Sequence, residues 1–153
     1  MLQIRLAESQ DELISCANSM ALTEPWITLR VKKEACLRGL KNPAVEVHVA
    51  TLEGEVVGFA TINMNVGPFR GYIQTLHVFD RFQGRGFGTA LIEAACTRIL
   101  KDSPNVFMMV SDFNARAQSL YYRLGFQKVG EFENFVVKGH SEFLLRKTTG
   151  PFY

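Results

Sequence analysis

The segment Arg81-Phe82-Gln83-Gly84-Arg85-Gly86-Phe87-Gly88-Thr89 carries glycine at every second position from Gly84 to Gly88, between a run that reads as a strand and one that reads as a helix. With no Cβ atoms in the way, backbone N–H groups at such a helix N-terminus converge on an anion, and a phosphate or pyrophosphate is the natural guest. The same glycines would also serve a turn that only needs unusual backbone angles. Spacing narrows the choice. A dinucleotide fingerprint requires G-x-G-x-x-G, but the third glycine position after Gly86 holds Thr89, and after Gly88 it holds Leu91. A Walker A loop requires G-K-[ST], and no lysine occurs between Phe79 and Arg98. A nucleotide-dependent oxidoreductase or phosphotransferase is therefore disfavoured. Arg81, Arg85 and Arg116 are candidate phosphate partners, with a solvated surface position as the alternative for each. His48, His77 and His140 lack metal-ligand spacing, and Cys16, Cys36 and Cys96 form no CxxC pair. No metal site or disulfide framework is expected, and the thiols read as reduced and mostly buried.

The elements that must position this loop follow from hydrophobic periodicity. Leu2, Ile4 and Leu6 alternate with polar residues as a half-buried strand, and Ser9 to Asp11 then opens a helix that Thr23-Glu24-Pro25-Trp26 breaks. A second helix is expected from about Lys32 to Leu40. Val45, Val47 and Val49, a turn at Glu53-Gly54-Glu55, and Val56 to Met64 predict a hairpin, followed by the loop Gly67 to Gly71. Tyr72 to Phe79 is a strand leading into the glycine loop, whose helix carries the apolar stripe Leu91, Ile92, Ala95, Cys96, Ile99 and Leu100. Val106 to Ser111 reads as a central strand apolar on both faces. Asn114 starts a last helix closed by Gly125, and Phe126 to Val137 and Glu142 to Lys147 predict the final strands, with the turn at Lys138-Gly139-His140. The order implies an α/β (α+β) fold, a mixed sheet with helices on its faces.

A chain of 153 residues with 47% hydrophobic and 21% charged residues suits one domain spanning residues 1–153. A net charge of +2 gives no reason to expect nucleic-acid binding, and no apolar run is long enough to cross a membrane. The N-terminus lacks the pattern of a secretory signal, so a cytoplasmic location is expected. A homodimer face is conceivable along the aromatic residues Phe132, Phe135, Phe143, Phe152 and Tyr153.

Q-x-x-G-x-G at Gln83, Gly86 and Gly88 resembles the coenzyme A pyrophosphate loop of the GNAT superfamily of N-acetyltransferases. A second stretch, Asn114, Ala117, Leu120, Tyr121, Gly125 and Phe126, is similar to the family pattern N-x-x-A-x-x-L-Y-x-x-x-G-F. The resemblance runs from about Glu46 to Phe126. It implies a mostly antiparallel sheet with a splayed gap between the fourth and fifth strands, and acetyl-CoA as cosubstrate without a metal. Main-chain groups of Leu76, His77 and Val78 would meet the acetyl and pantetheine groups. Gln83, Gly84, Arg85, Gly86, Phe87, Gly88 and Thr89 would wrap the pyrophosphate. Asn114 matches a position whose side chain contacts the cofactor, and it equally suits a helix N-cap.

The reaction so implied is direct attack of an amine on the thioester in a ternary complex. A departing thiolate benefits from a proton, and Tyr121 is the candidate acid, a phenol with an ordinary pKa of about 10. Packing in the core is the alternative for Tyr121 or its neighbour Tyr122. The amine must be neutral to attack, yet Tyr72, Gln74 and Met109 stand where family members often carry a Glu or His base. His77, Asp112 or a water relay remain as substitutes. That departure keeps a second reading open, a non-catalytic acyl-CoA-binding regulatory module. Acceptor specificity is expected from the loops Leu22–Leu29, Asn65–Gly71 and Phe132–Ser141. Pro25-Trp26 is similar to the equivalent dipeptide of ribosomal-protein N-terminal alanine acetyltransferases. The acceptor is thus a small-molecule amine or a peptide N-terminus.

Overall fold

The computed structural model describes residues 1–153. Seven strands form one sheet: β1 (Leu2–Leu6), β2 (Val45–Leu52), β3 (Glu55–Asn63), β4 (Tyr72–Val78), β5 (Asn105–Ser111), β6 (Gln127–Glu133) and β7 (Ser141–Thr148). The helices are α1 (Gln10–Ala21), α2 (Lys33–Lys41), α3 (Phe87–Ile99) and α4 (Ala115–Arg123), with a short 3-10 turn at Asp80–Phe82. Strand order is β1-β2-β3-β4-β5-β7-β6, so the last strand inserts between β5 and β6. All neighbours are antiparallel except β4 and β5.

Alternation along the strands builds a core on each face. Val47, Val49 and Phe59 pack against Cys16, Ala17 and Met20 of α1 and Cys36 and Leu40 of α2. Their sequence neighbours Ala50 and Ala60 turn to the other face, with Phe82 and Leu91. The stripe Ile92, Ala95, Cys96 and Ile99 of α3 meets Ile62, Ile73, Val106, Met108, Val110 and Leu145, to which α4 adds Tyr121. The three cysteines are buried free thiols, as their scatter implied. No helix is long and apolar enough to cross a membrane.

The pair β4–β5 is held at one end only. Tyr72 pairs Phe107 and Ile73 pairs Met108, and there the ladder stops. Beside that last pair, the register of β3 against β4 slips: Thr61 opposes Thr75 while Ile62 opposes Ile73, leaving Gln74 as the extra residue of a bulge. A bulge bends and twists its strand, which turns β4 away from β5. The gap implied by the resemblance is therefore present, and the edge of β4 from Gln74 onward has no strand partner.

The closed end is fastened by Gly71. Its carbonyl accepts from Phe107 N at 2.9 Å, and the Ser103 hydroxyl donates to the neighbouring Arg70 carbonyl at 2.9 Å. Gly71 has φ +93°, and a Cβ there would lie 2.3 Å from Ile99 Cγ2 and 2.7 Å from the Asn105 carbonyl oxygen.

One strand is shorter than its sequence suggests. The run Phe126 to Val137 supplies only β6, because Asn134 turns the chain with φ 54°. Asn134 N donates to His140 O at 3.0 Å, and Gly139 N donates to Asn134 Oδ1 at 2.8 Å, so the reversal spans Asn134 to His140 rather than Lys138 to His140. Asn tolerates the left-handed region better than the apolar residues around it. Of the aromatic residues in this region, Phe132, Phe135, Phe152 and Tyr153 are exposed, whereas Phe143 lies beneath Lys128, whose Nζ is 3.9 Å from the ring centroid.

The fit around Gly71 makes Gly71→Ala a sensitive probe. We expect a loss of about 2–4 kcal/mol from a strained positive φ plus overpacking, read as a lower urea midpoint at unchanged slope. An unchanged midpoint would contradict the close approach of β4, α3 and β5 at this residue.

Candidate active site

Helix α3 is preceded by Gly86 at its N-cap position, in the left-handed region at φ 83°, with no side-chain cap and no acidic residue in the first turn. By contrast, α1 is capped by Ser9 and α4 by Asn114. The open N–H groups of Phe87, Gly88 and Thr89 and the positive end of the α3 dipole thus face outward unneutralised. Nothing lies within 4 Å of where a Cβ of Gly84 or Gly86 would be, so a ligand has direct access to the loop backbone.

Gln83 holds this loop to its neighbours. Its Nε2 donates to Val78 O at 3.1 Å and to Asp80 Oδ1 at 3.3 Å, while its Oε1 accepts from Arg116 at 3.4 Å. A cleft of about 970 Å³ runs from the loop along β4 to α4. Leu76, His77, Val78, Gln83, Gly84, Gly86, Phe87, Gly88, Thr89, Asn114 and Tyr121 all line it. Arg85 does not; its guanidinium carbon sits 5.2 Å from the Phe87 ring centroid. Arg81 is paired with Glu55 and stacked on Phe82, so of the three candidate arginines only Arg116 reaches the cleft. Arg123, which the sequence motifs do not single out, joins it there from the end of α4.

A second cavity of about 190 Å³ fills the wedge between the splayed strands. It is lined by Tyr72, Gln74 and Thr75 of β4, Met108, Met109 and Ser111 of β5, Glu142 of β7, and the loop residues Trp26 and Phe135 among others. Pro25, Trp26, Leu76, Asn114 and Tyr121 belong to both spaces. Two of the three variable loops therefore contribute, while Asn65–Gly71 lines neither.

Tyr121 is 7% exposed, and its ring packs against Phe126 with centroids 6.4 Å apart. Burial pushes its hydroxyl up to about 12, so the phenol keeps its proton at neutral pH. Tyr122, one residue on, is 41% exposed, so the two tyrosines are separated by helix phase. Asn114 Oδ1 accepts from Ala117 N at 3.3 Å, which confirms the N-cap and leaves the amide NH₂ for a ligand.

Neither substitute base is placed for the task. His77 is buried, with Nε2 2.8 Å from Ser19 Oγ and its ring against Trp26, Phe59 and Phe79. Burial pulls it down to about 4, against the opposing pull of Asp80, so it is neutral and serves as packing. Asp112 accepts from Ser141 N at 2.8 Å and pairs with His140 Nδ1 at 2.9 Å, and it lines neither space. Trp26 is at once a packing anchor on His77, at 5.1 Å between centroids, and a wall of both spaces.

Comparison with known proteins agrees with this geometry. The chain matches the Acetyltransferase (GNAT) family over residues 8–126. It is 29% identical to an N-alpha-acetyltransferase of Sulfolobus acidocaldarius, over 94% of this chain and 90% of that protein. It is also 29% identical to the N-alpha-acetyltransferase RimI of Mycobacterium tuberculosis, over 83% of this chain and 78% of the relative. Its fold is that of the Escherichia coli ribosomal-protein-S18-alanine N-acetyltransferase, with a TM-score of 0.77 at 17% identity, covering 99% of this chain and 96% of the other. With a family match across most of its length, an uncapped glycine-led helix and a splayed β4–β5 pair, the chain belongs to the GNAT acetyltransferase family.

Proposed function

We propose that this chain transfers an acetyl group from acetyl-CoA to the α-amino group of a peptide N-terminus. The observation that carries the reading is the position of Tyr121, where the anion-accepting cleft and the wedge cavity meet. The pyrophosphate lies on the N–H groups of Gly84 to Thr89, neutralising the α3 dipole, with Arg116 and Arg123 at hand for further phosphate charge. The pantetheine arm follows β4, whose unpaired edge at Leu76, His77 and Val78 hydrogen-bonds its amides and steadies the thioester oxygen as charge builds there.

Tyr121 then gives its proton to the departing sulfur. A phenol held near 12 stays protonated across the working range and parts with its proton only as thiolate charge develops. The wedge cavity takes the acceptor. Support for a peptide comes from the two N-alpha-acetyltransferases that match most of this chain, and from Pro25-Trp26 at the mouth shared by both spaces.

Three outcomes are expected. Gly86→Glu, which sets a carboxylate against the pyrophosphate position, weakens coenzyme A binding by roughly 100-fold or more in calorimetry while the variant remains folded; retained affinity would remove the loop from the site. Tyr121→Phe lowers turnover by about 10- to 1000-fold with coenzyme A affinity nearly unchanged, and undiminished turnover would take away its role as acid. Finally, coenzyme A release is followed against short peptides, free amino acids, polyamines and aminoglycosides. Release with peptides bearing a free N-terminus supports the reading; release with small amines alone replaces the acceptor class. No release despite tight acetyl-CoA binding favours a regulatory module.

A further inference from the structure

The wedge cavity contains one charged side chain, Glu142 at the head of β7, and it is 8% exposed. No lysine or arginine forms an ion pair with it, and no protein donor completes a hydrogen bond to its carboxylate. Ser111, directly opposite across the β5–β7 ladder, has a buried hydroxyl that also lacks a partner. That hydroxyl is near enough to temper the carboxyl's titration, but it is not in the geometry of a completed bond. A buried carboxylate without a counter-charge, beside an orphaned hydroxyl, is costly in a folded chain, and both groups line a space that shares Tyr121 with the cleft. A cation with N–H donors is a chemical complement to both groups.

On the acetyl-transfer reading above, we infer that Glu142 receives the acceptor's ammonium group and takes its proton, so that the neutral amine can attack the thioester. The ammonium N–H bond breaks and its proton passes to the Glu142 carboxylate. The freed nitrogen lone pair forms the C–N bond to the carbonyl carbon, and the C–S pair leaves with sulfur. Tyr121 protonates that sulfur and recovers a proton from the acylated nitrogen. When the amide product leaves, Glu142 returns its proton to solvent. One proton is released per turnover, as conversion of an ammonium and a thioester to an amide and a thiol requires.

The surroundings favour this exchange. Desolvation raises the Glu142 carboxyl above the usual carboxylate range, which brings it closer to the amine it must deprotonate. Tyr72 from β4 and Tyr121 from α4 share the cavity and are both held up near 12 by burial, so neither competes for the proton. Asp112 beyond β5 adds to the upward shift and His140 before β7 opposes it, while β6 presents the apolar Phe132 opposite. This assignment supplies the base that Tyr72, Gln74 and Met109 cannot.

The test compares wild type with Glu142→Gln and Glu142→Asp on an N-terminal peptide acceptor across pH. Wild-type kcat/KM falls as pH drops through an inflection above the ordinary carboxylate range, since a carboxyl with a raised pKa loses its charge first. Glu142→Gln is expected to lose that inflection and about 100-fold or more in kcat/KM, with coenzyme A affinity and melting temperature not lowered, because a buried neutral amide removes an unpaired charge. Glu142→Asp recovers part of the rate and the inflection. A Glu142→Gln enzyme with wild-type turnover and pH profile overturns the inference while leaving the transferase reading intact. A wild type inactive on every amine overturns both.

Discussion

The hydrogen-bond ladder between β4 and β5 ends after two residue pairs, and the site is built on that interruption. Backbone N–H and C=O groups inside a sheet are normally satisfied by the next strand. From Gln74 onward β4 loses that partner because the bulge opposite Thr61 and Ile62 turns it aside. The strand edge must then find its partners elsewhere, and a ligand that runs alongside like a strand is the natural supplier. The close packing at Gly71 matters for the same reason: it holds the closed end of the wedge tight so that the open end keeps its shape.

Around this wedge the protein sets up two electrostatic environments. On one side the uncapped start of α3, Arg116 and Arg123 present positive charge without a carboxylate in the first helical turn. On the other, the one charged side chain lining the wedge is the buried Glu142. On the proposed reading, the anionic cosubstrate and the ammonium of the acceptor lie on opposite sides of Tyr121, which lines both spaces. Burial makes the charge of Glu142 costly and strengthens its attraction for a cation that reaches it.

His77 illustrates how a residue beside reactive groups can be wholly structural. Its imidazole is turned into the α1 face of the sheet, held by Ser19 and three aromatic rings. Through Trp26 this packing also fixes the loop that walls both spaces. The imidazole thus shapes the site by holding its wall in place.

What the sequence determined by itself is what short-range order carries. The glycine loop and the Asn114 cap are each contained in one contiguous segment, where turn geometry and capping decide the outcome, whereas which of Tyr121 and Tyr122 is buried was settled only by the fold. Alternation likewise marked the strands, except where Asn134 reversed the chain inside an apolar run. Tertiary structure decided the rest. Which arginine faces the cleft depends on competing partners such as Glu55 and Phe82. Glu142 reads in sequence as an ordinary polar residue at the start of a strand. Its meaning comes from β7 inserting beside β5, a pairing between distant segments that buries the carboxylate against Ser111 at the edge of the wedge. Strand alternation specifies which face of a sheet a side chain occupies; only the folded sheet determines what that face meets.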